Sequence, residues 1–118
     1  MTADQARRFA REWTDAWNAH DLDRVLAHYA DDFEMSSPFI TAVAGEPSGV
    51  LRGKAAVGAY WRAALDRFPD LRFELLGAFA GVGGAVVHYR SVRGLVACEA
   101  FAFDAAGKVC RAAAHYSE

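Results

Sequence analysis

Little in this 118-residue chain points to charged partners, metals or membranes. Lysine and arginine together number 13 against 15 aspartates and glutamates, a net charge of −2. No cationic excess is present to follow a nucleic-acid backbone or an anionic membrane surface. No apolar run approaches the roughly 20 residues of a membrane span, and the opening MTADQARRFAREW carries no apolar leader, so a cytoplasmic protein is expected. Two cysteines, Cys98 and Cys110, are too few for a disulfide framework and read as small buried residues. The four histidines, at 20, 28, 88 and 115, form neither a His-x-x-x-His pattern nor a set with cysteine, so no metal site and no cofactor is implied. A phosphate-cradling glycine loop and a Gly-x-Ser-x-Gly elbow are absent as well.

What is present is a hydrophobic fraction of 53%, enough for one core in a chain of this length, and a single domain over 1–118 is expected. The first half reads as helix. Thr2 with Gln5 makes a capping box, after which Ala6, Phe9, Ala10, Trp13 and Trp17 fall on one helical stripe. Asp21 is placed to cap a second, shorter helix with Leu22, Val25, Leu26 and Tyr29 inside, and His20 and His28 are expected in solvent. Asp31 and Asp32 follow as a turn. A third helix is expected over about 54–68, where Val57, Tyr60, Trp61, Ala64, Leu65 and Phe68 recur at three and four and Pro69 stops the run. Between Pro38 and Gly53 the periodicity lapses, and a long mobile loop is expected there.

The second half alternates with period two, and strands are expected over about 71–80, 84–93, 95–103 and 108–116. Helices followed by an antiparallel sheet give an α+β fold with the helices on one face of a curved sheet. Within the third strand, VACEAFAF, Glu99 shares a face with Phe101 and Phe103. A carboxylate on an apolar face is costly unless paired, hydrated in a cavity or protonated, so the position points to a pocket; the alternative is an exposed edge strand. A two-residue turn at Arg93 and Gly94 sets His88 opposite Glu99, whereas a three-residue loop sets Tyr89 there. The former register puts Val87, Tyr89, Cys98, Ala100, Ala102, Ala113 and His115 on the opposite face. That face is apolar enough to expect a homodimer through it. Across the next hairpin, Cys110 is expected opposite Phe101, with small Ala112 and Ala114 leaving room beside Glu99. Arg90 and Arg93 are expected on a solvated rim at the open end of the sheet.

The segments AWNAHDLDRVLAHYADDFEMSSP, LRGKAAVGAYW, LRFELLGAFA and EAFAFDAAGKV together resemble the nuclear transport factor 2-like superfamily, in its SnoaL-like or polyketide-cyclase-like branch. The resemblance spans essentially the whole chain. It implies a cone-shaped roll, in which a curved antiparallel sheet and three N-terminal helices enclose an apolar pocket. In the ketosteroid-isomerase relatives a tyrosine, an aspartate base and a strand acid act together; the matching positions here hold Trp13, Ser37 and Glu99. A serine hydroxyl is too weak a base for that route. In the polyketide-cyclase relatives a single acid with a histidine on the neighbouring strand carries the reaction, and a His88–Glu99 pair is similar to that arrangement.

The pocket wall is expected to come from Trp13, Trp17, Tyr29, Ser37, Phe39, Tyr60, Trp61, Phe101 and Tyr116, a set suited to a small hydrophobic ligand with a polar tip. Two functions follow as expectations. One is a cofactor-free isomerase or cyclase acting on a hydrophobic cyclic or polyketide-like carbonyl compound, with Glu99 and His88 as the acid/base pair. The other is a non-catalytic domain that binds a small apolar metabolite.

Overall fold

The architecture is a curved sheet wrapped around helices, described for residues 1–117 by a computed structural model. Residue 118, the end of the expected domain, lies outside the described residues. Helix α1 (Ala3–Asn18) begins at the expected capping box, in which Gln5 N–H donates to Thr2 Oγ1 at 3.1 Å and Thr2 N–H donates to Gln5 Oε1 at 2.8 Å. Its inner stripe buries Ala6, Ala10, Trp13 and Trp17. Helix α2 (Leu22–Leu26) is capped by Asp21. The two nearby histidines are not simply solvated. His20 Nε2 lies 2.8 Å from the Leu71 carbonyl oxygen, and half-buried His28 stands edge-on to Phe9 and 3.7 Å from Glu12.

The sequence reading ran α2 on to Tyr29, but Tyr29 opens a strand, β1 (Tyr29–Ser36), which buries Tyr29, Phe33 and Met35 while Asp31 and Asp32 face outward. The expected loop after it is also structured. Ser37 caps α3 (Pro38–Ala44) by accepting from Phe39 N–H at 3.2 Å, Pro38 supplies a first-turn residue with no N–H to satisfy, and Gly45 ends the helix at φ 73°. Strand β2 (Val50–Arg52) then pairs back on β1. Helix α4 (Lys54–Arg67) turns Val57, Trp61 and Leu65 inward, which brings the helix total to four among the described residues. Strands β3 (Glu74–Gly81), β4 (Gly84–Arg90), β5 (Val96–Phe103) and β6 (Val109–Tyr116) complete a sheet of order β2-β1-β6-β5-β4-β3. Every pairing is antiparallel except β1 with β6. No described helix is long and apolar enough to cross a membrane.

The β4–β5 register decides the chemistry, and it differs from expectation by one residue. The turn residues behave as anticipated: Arg93 and Gly94 both adopt positive φ, at 56° and 71°, and Leu95 N–H donates to the Val92 carbonyl at 3.2 Å. Ser91 N–H, however, also donates to the Leu95 carbonyl, at 2.6 Å, so Ser91 and Val92 both oppose Leu95. One extra residue on one strand flips every side chain beyond it. Val87 therefore pairs with Glu99, and His88 pairs with Cys98. His88 lies on the outer face, away from Glu99, and Val87 and Tyr89, expected outside, are buried inside.

A second irregularity, between Ala102 and Phe103, sets Ala112 opposite Phe101 and Ala114 opposite Glu99. Both alanines are buried on the Glu99 side, but Cys110 loses its expected inner position. Cys98 and Cys110 are both exposed free thiols rather than buried residues.

At Gly84 strand β4 lies tight against β5: a Cβ built there would stand 2.4 Å from the Phe101 carbonyl oxygen. Backbone cannot yield as a side chain can, so Gly84→Ala is expected to cost about 2–3 kcal/mol of stability, read as a lower urea midpoint. A cost within about 0.5 kcal/mol, the usual range for a surface substitution, would show that this approach is not tight.

Candidate functional site

Between the inner face of the sheet and helices α1, α3 and α4 lies a cavity of about 280 Å³. An apolar cavity of ~150 Å³ accepts benzene, so this one has room for a compound of one or two rings. Helix α1 contributes Trp13 and Trp17, one turn apart on its buried stripe, and α4 contributes its buried Trp61 and the adjacent, half-buried Tyr60. Ser37 and Phe39 enter from the start of α3. Glu99 and Tyr116 enter from neighbouring strands β5 and β6.

Glu99 is 3% exposed, and its Oε1 accepts a 2.9 Å hydrogen bond from Tyr89 Oη–H. Among the described residues Tyr89 is its one protein donor, so the second oxygen has no protein partner. Burial penalises the ionised carboxylate and pushes its pKa up to about 7, against a smaller downward pull from the Tyr89 hydrogen bond. The surrounding phenols respond to the same environment. Burial and then the Glu99 charge hold Tyr29 and Tyr89 well above the ordinary phenol range, and Tyr116 is raised by the same two causes in the same order. Tyr60 is also raised, by burial first, while Ser37 acts in the opposite direction. These four hydroxyls remain protonated donors near neutral pH.

Of the eleven residues singled out from sequence, eight line the cavity: Glu99, Trp13, Trp17, Ser37, Phe39, Tyr60, Trp61 and Tyr116. Tyr29 and Phe101 lie behind the wall instead. Tyr29 accepts a 3.0 Å hydrogen bond from Trp13 Nε1–H, and Phe101 packs edge-on against Phe9 and Trp13. His88 is on the far side of the sheet. Sequence reasoning missed Tyr89 as a donor in its preferred register, although the longer-loop alternative brought it to this face. It missed Met35 because β1 was not recognised, and Arg67 at the end of α4 had no signal of its own. The Trp17 indole N–H is buried without a partner among the described residues. No three His, Cys, Asp or Glu side chains converge as metal ligands among the described residues.

Residues 10–116 match the SnoaL-like domain family. No curated protein matches the chain. A SnoaL-like protein of unknown function from Burkholderia thailandensis has a solved structure that is 56% identical, with a TM-score of 0.96 over 99% of this chain and 98% of that one. A cystatin-like-fold protein of unknown function from Methylobium petroleophilum is 19% identical, with a TM-score of 0.78 over 100% of this chain and 79% of that one. A candidate isomerase of the SnoaL-like family from Agrobacterium tumefaciens is 17% identical, with a TM-score of 0.78 over 98% and 99% of the two chains. At such identities the last two similarities speak for the fold alone.

Proposed function

The chain belongs to the SnoaL-like domain family, and from that premise we propose that it is a small-molecule pocket protein in which Glu99 moves a proton on a hydrophobic cyclic or polyketide-like carbonyl compound. The observation that carries this reading is a carboxyl group 3% exposed at an apolar cavity, with Tyr89 as its donor and its pKa brought to about 7. A group titrating there is present in both forms at neutral pH, which suits proton abstraction and return by one residue. The ionised carboxylate takes a proton from carbon beside the carbonyl, and the resulting acid returns it to another carbon, so the net proton balance is zero. Tyr89 stays on Oε1 throughout and steadies the charge. The hydroxyls of Tyr60, Tyr116 and Ser37 in the same lining serve as donors to the carbonyl oxygen as it gains negative charge. His88 has no part in this, being on the outer face.

One observation favours the non-catalytic alternative: among the described residues Glu99 is the one carboxyl group lining the cavity, and Ser37 is already used as a helix cap. The two readings separate in heavy water with a bicyclic β,γ-unsaturated ketone as probe. The acid/base reading expects deuterium incorporation or double-bond migration, with kcat/KM rising to a plateau above about pH 7. It also expects a loss of about 10²–10⁴-fold in Glu99→Gln. Saturable binding without exchange supports the binding domain and sinks the enzyme.

The partner proposed for the outer sheet face is a second copy of the chain. Phe79, 57% exposed, and Val86 lie beside Ala100 and Ala113 on that face, which favours covering it. Sedimentation at micromolar concentration should show a dimer that Val86→Lys dissociates. A monomer throughout would refute it. The two exposed thiols fit the reducing cytoplasm as the protein's location.

A further inference from the structure

Among the described residues three charged side chains line the cavity, and they are arranged by depth: Glu99 is buried, whereas Arg67 at the C-terminal end of α4 and Arg93 in the β4–β5 turn are exposed. The opening is therefore cationic in a chain whose net charge is −2. Among the described residues neither arginine has a carboxylate within ion-pairing distance, while Arg24, Arg52 and Arg90 each do. Asp66 and Asp70 flank Arg67 in sequence, but neither lines the cavity.

The conformation of Arg93 is the second observation. It is one of two described non-glycine residues at positive φ, 56°, a region that is strained for a side chain of this size. That conformation holds its guanidinium 5.3 Å above the centre of the Phe68 ring, which is itself part of the cavity wall. A guanidinium stacked on a ring keeps its N–H edge free for the paired hydrogen bonds a carboxylate accepts.

We infer that the ligand is an amphipathic organic anion, with a hydrocarbon body of one or two rings inside the cavity and a carboxylate held at the mouth by Arg67 and Arg93. This inference rests on the small-molecule pocket proposed above and names the class of compound it takes. An anion at the opening stays partly hydrated and at a distance from the floor where Glu99 must gain and lose its own charge. The carbonyl on which Glu99 acts is then a separate group, carried on the ring body.

Matched pairs test this directly: benzoate with benzamide, and 2-naphthoate with 2-naphthamide, titrated by tryptophan fluorescence and calorimetry at pH 7 and low salt. At least one carboxylate should bind about tenfold or more tightly than its amide, an advantage that shrinks in about 0.5 M salt. Arg67→Gln with Arg93→Gln should remove that advantage while leaving the affinity for the amide within about twofold, and Arg93→Lys should restore part of it. Circular dichroism of the double variant checks that these exposed substitutions leave the fold intact. Amide and carboxylate binding equally well, or a preference for carboxylate that survives the double substitution, would overturn the anion subsite and leave the pocket reading standing. Failure of all four probes to bind would overturn both.

Discussion

Glu99→Gln should be more stable than the native protein above neutral pH, by about 2 kcal/mol, and the advantage should vanish in acid. Glu99 titrates near 7 when folded against 4.5 for an ordinary glutamate, so the folded state holds its proton more tightly than the unfolded chain. The destabilisation from ionising it is absent below about pH 4.5, grows between about 4.5 and 7, and is full above that. At 1.36 kcal/mol per pKa unit the full burden is about 3 kcal/mol. Glutamine keeps an oxygen to accept from Tyr89 but adds a buried amide N–H2, which returns roughly 1 kcal/mol of that gain. For a domain of this size the Tm should rise by about 5–10 °C at pH 8, whereas at pH 4 the amide cost alone remains and the Tm should fall by a few degrees. Equal stability of the two proteins at both pH values would mean that Glu99 is not desolvated. The same substitution that abolishes proton transfer is thus expected to strengthen the fold, a pairing that a purely structural carboxylate would not give.

Trp13→Ala should cost about 4 kcal/mol, a large part of the ~5–15 kcal/mol that holds a domain of this kind together. Trp13 is 1% exposed and is the ring on which the core turns. It stacks on Phe73 at 5.6 Å, meets Tyr89 and Phe101 edge-on, and donates its indole N–H to Tyr29 Oη at 3.0 Å. That donor is committed, so towards a ligand Trp13 offers an apolar face alone. Trp13→Phe keeps most of the ring and loses the bond to Tyr29, and should cost about 1–2 kcal/mol. Urea denaturation followed by far-ultraviolet circular dichroism distinguishes the two. A cost for the alanine variant below about 1 kcal/mol would show that the cavity, not the core, is the main neighbour of this ring.

The long helices were legible because several signals agreed. In α1 a capping box stands at the start of an apolar stripe, and in α4 apolar residues recurring at three and four end before Pro69. β1 was hidden because Asp31 and Asp32 interrupt its alternation where its pairing with β6 slips between Tyr29 and Glu34. α3 has only seven residues, too few for periodicity to speak, although Ser37, Pro38 and Gly45 are ordinary start and stop residues.

At the site, Glu99 is legible as a charge in an apolar strand, but the choice between His88 and Tyr89 as its partner is not. One additional residue at Ser91 and Val92 exchanges His88 for Val87 opposite Glu99 and turns Tyr89 inward. Such a bulge depends on main-chain hydrogen bonding that side-chain pattern does not encode. The second slip, between Ala102 and Phe103, moved Cys110 out to solvent for the same reason. Tyr29 and Phe101 were placed in the wall because aromatic residues suit both wall and core, and their hydrogen bond and ring contacts, visible only in three dimensions, assign them to the core.

The titration of Glu99 itself tests the account most directly. With glutamate labelled by ¹³C at the side-chain carboxyl carbon, and Glu99→Gln used to assign the resonance, its chemical shift can be followed from about pH 3 to pH 9. The predicted midpoint is about 7. A midpoint near the ordinary 4.5 would contradict the account, because a carboxyl group that ionises as it does in water is neither desolvated in this cavity nor poised to exchange a proton at neutral pH.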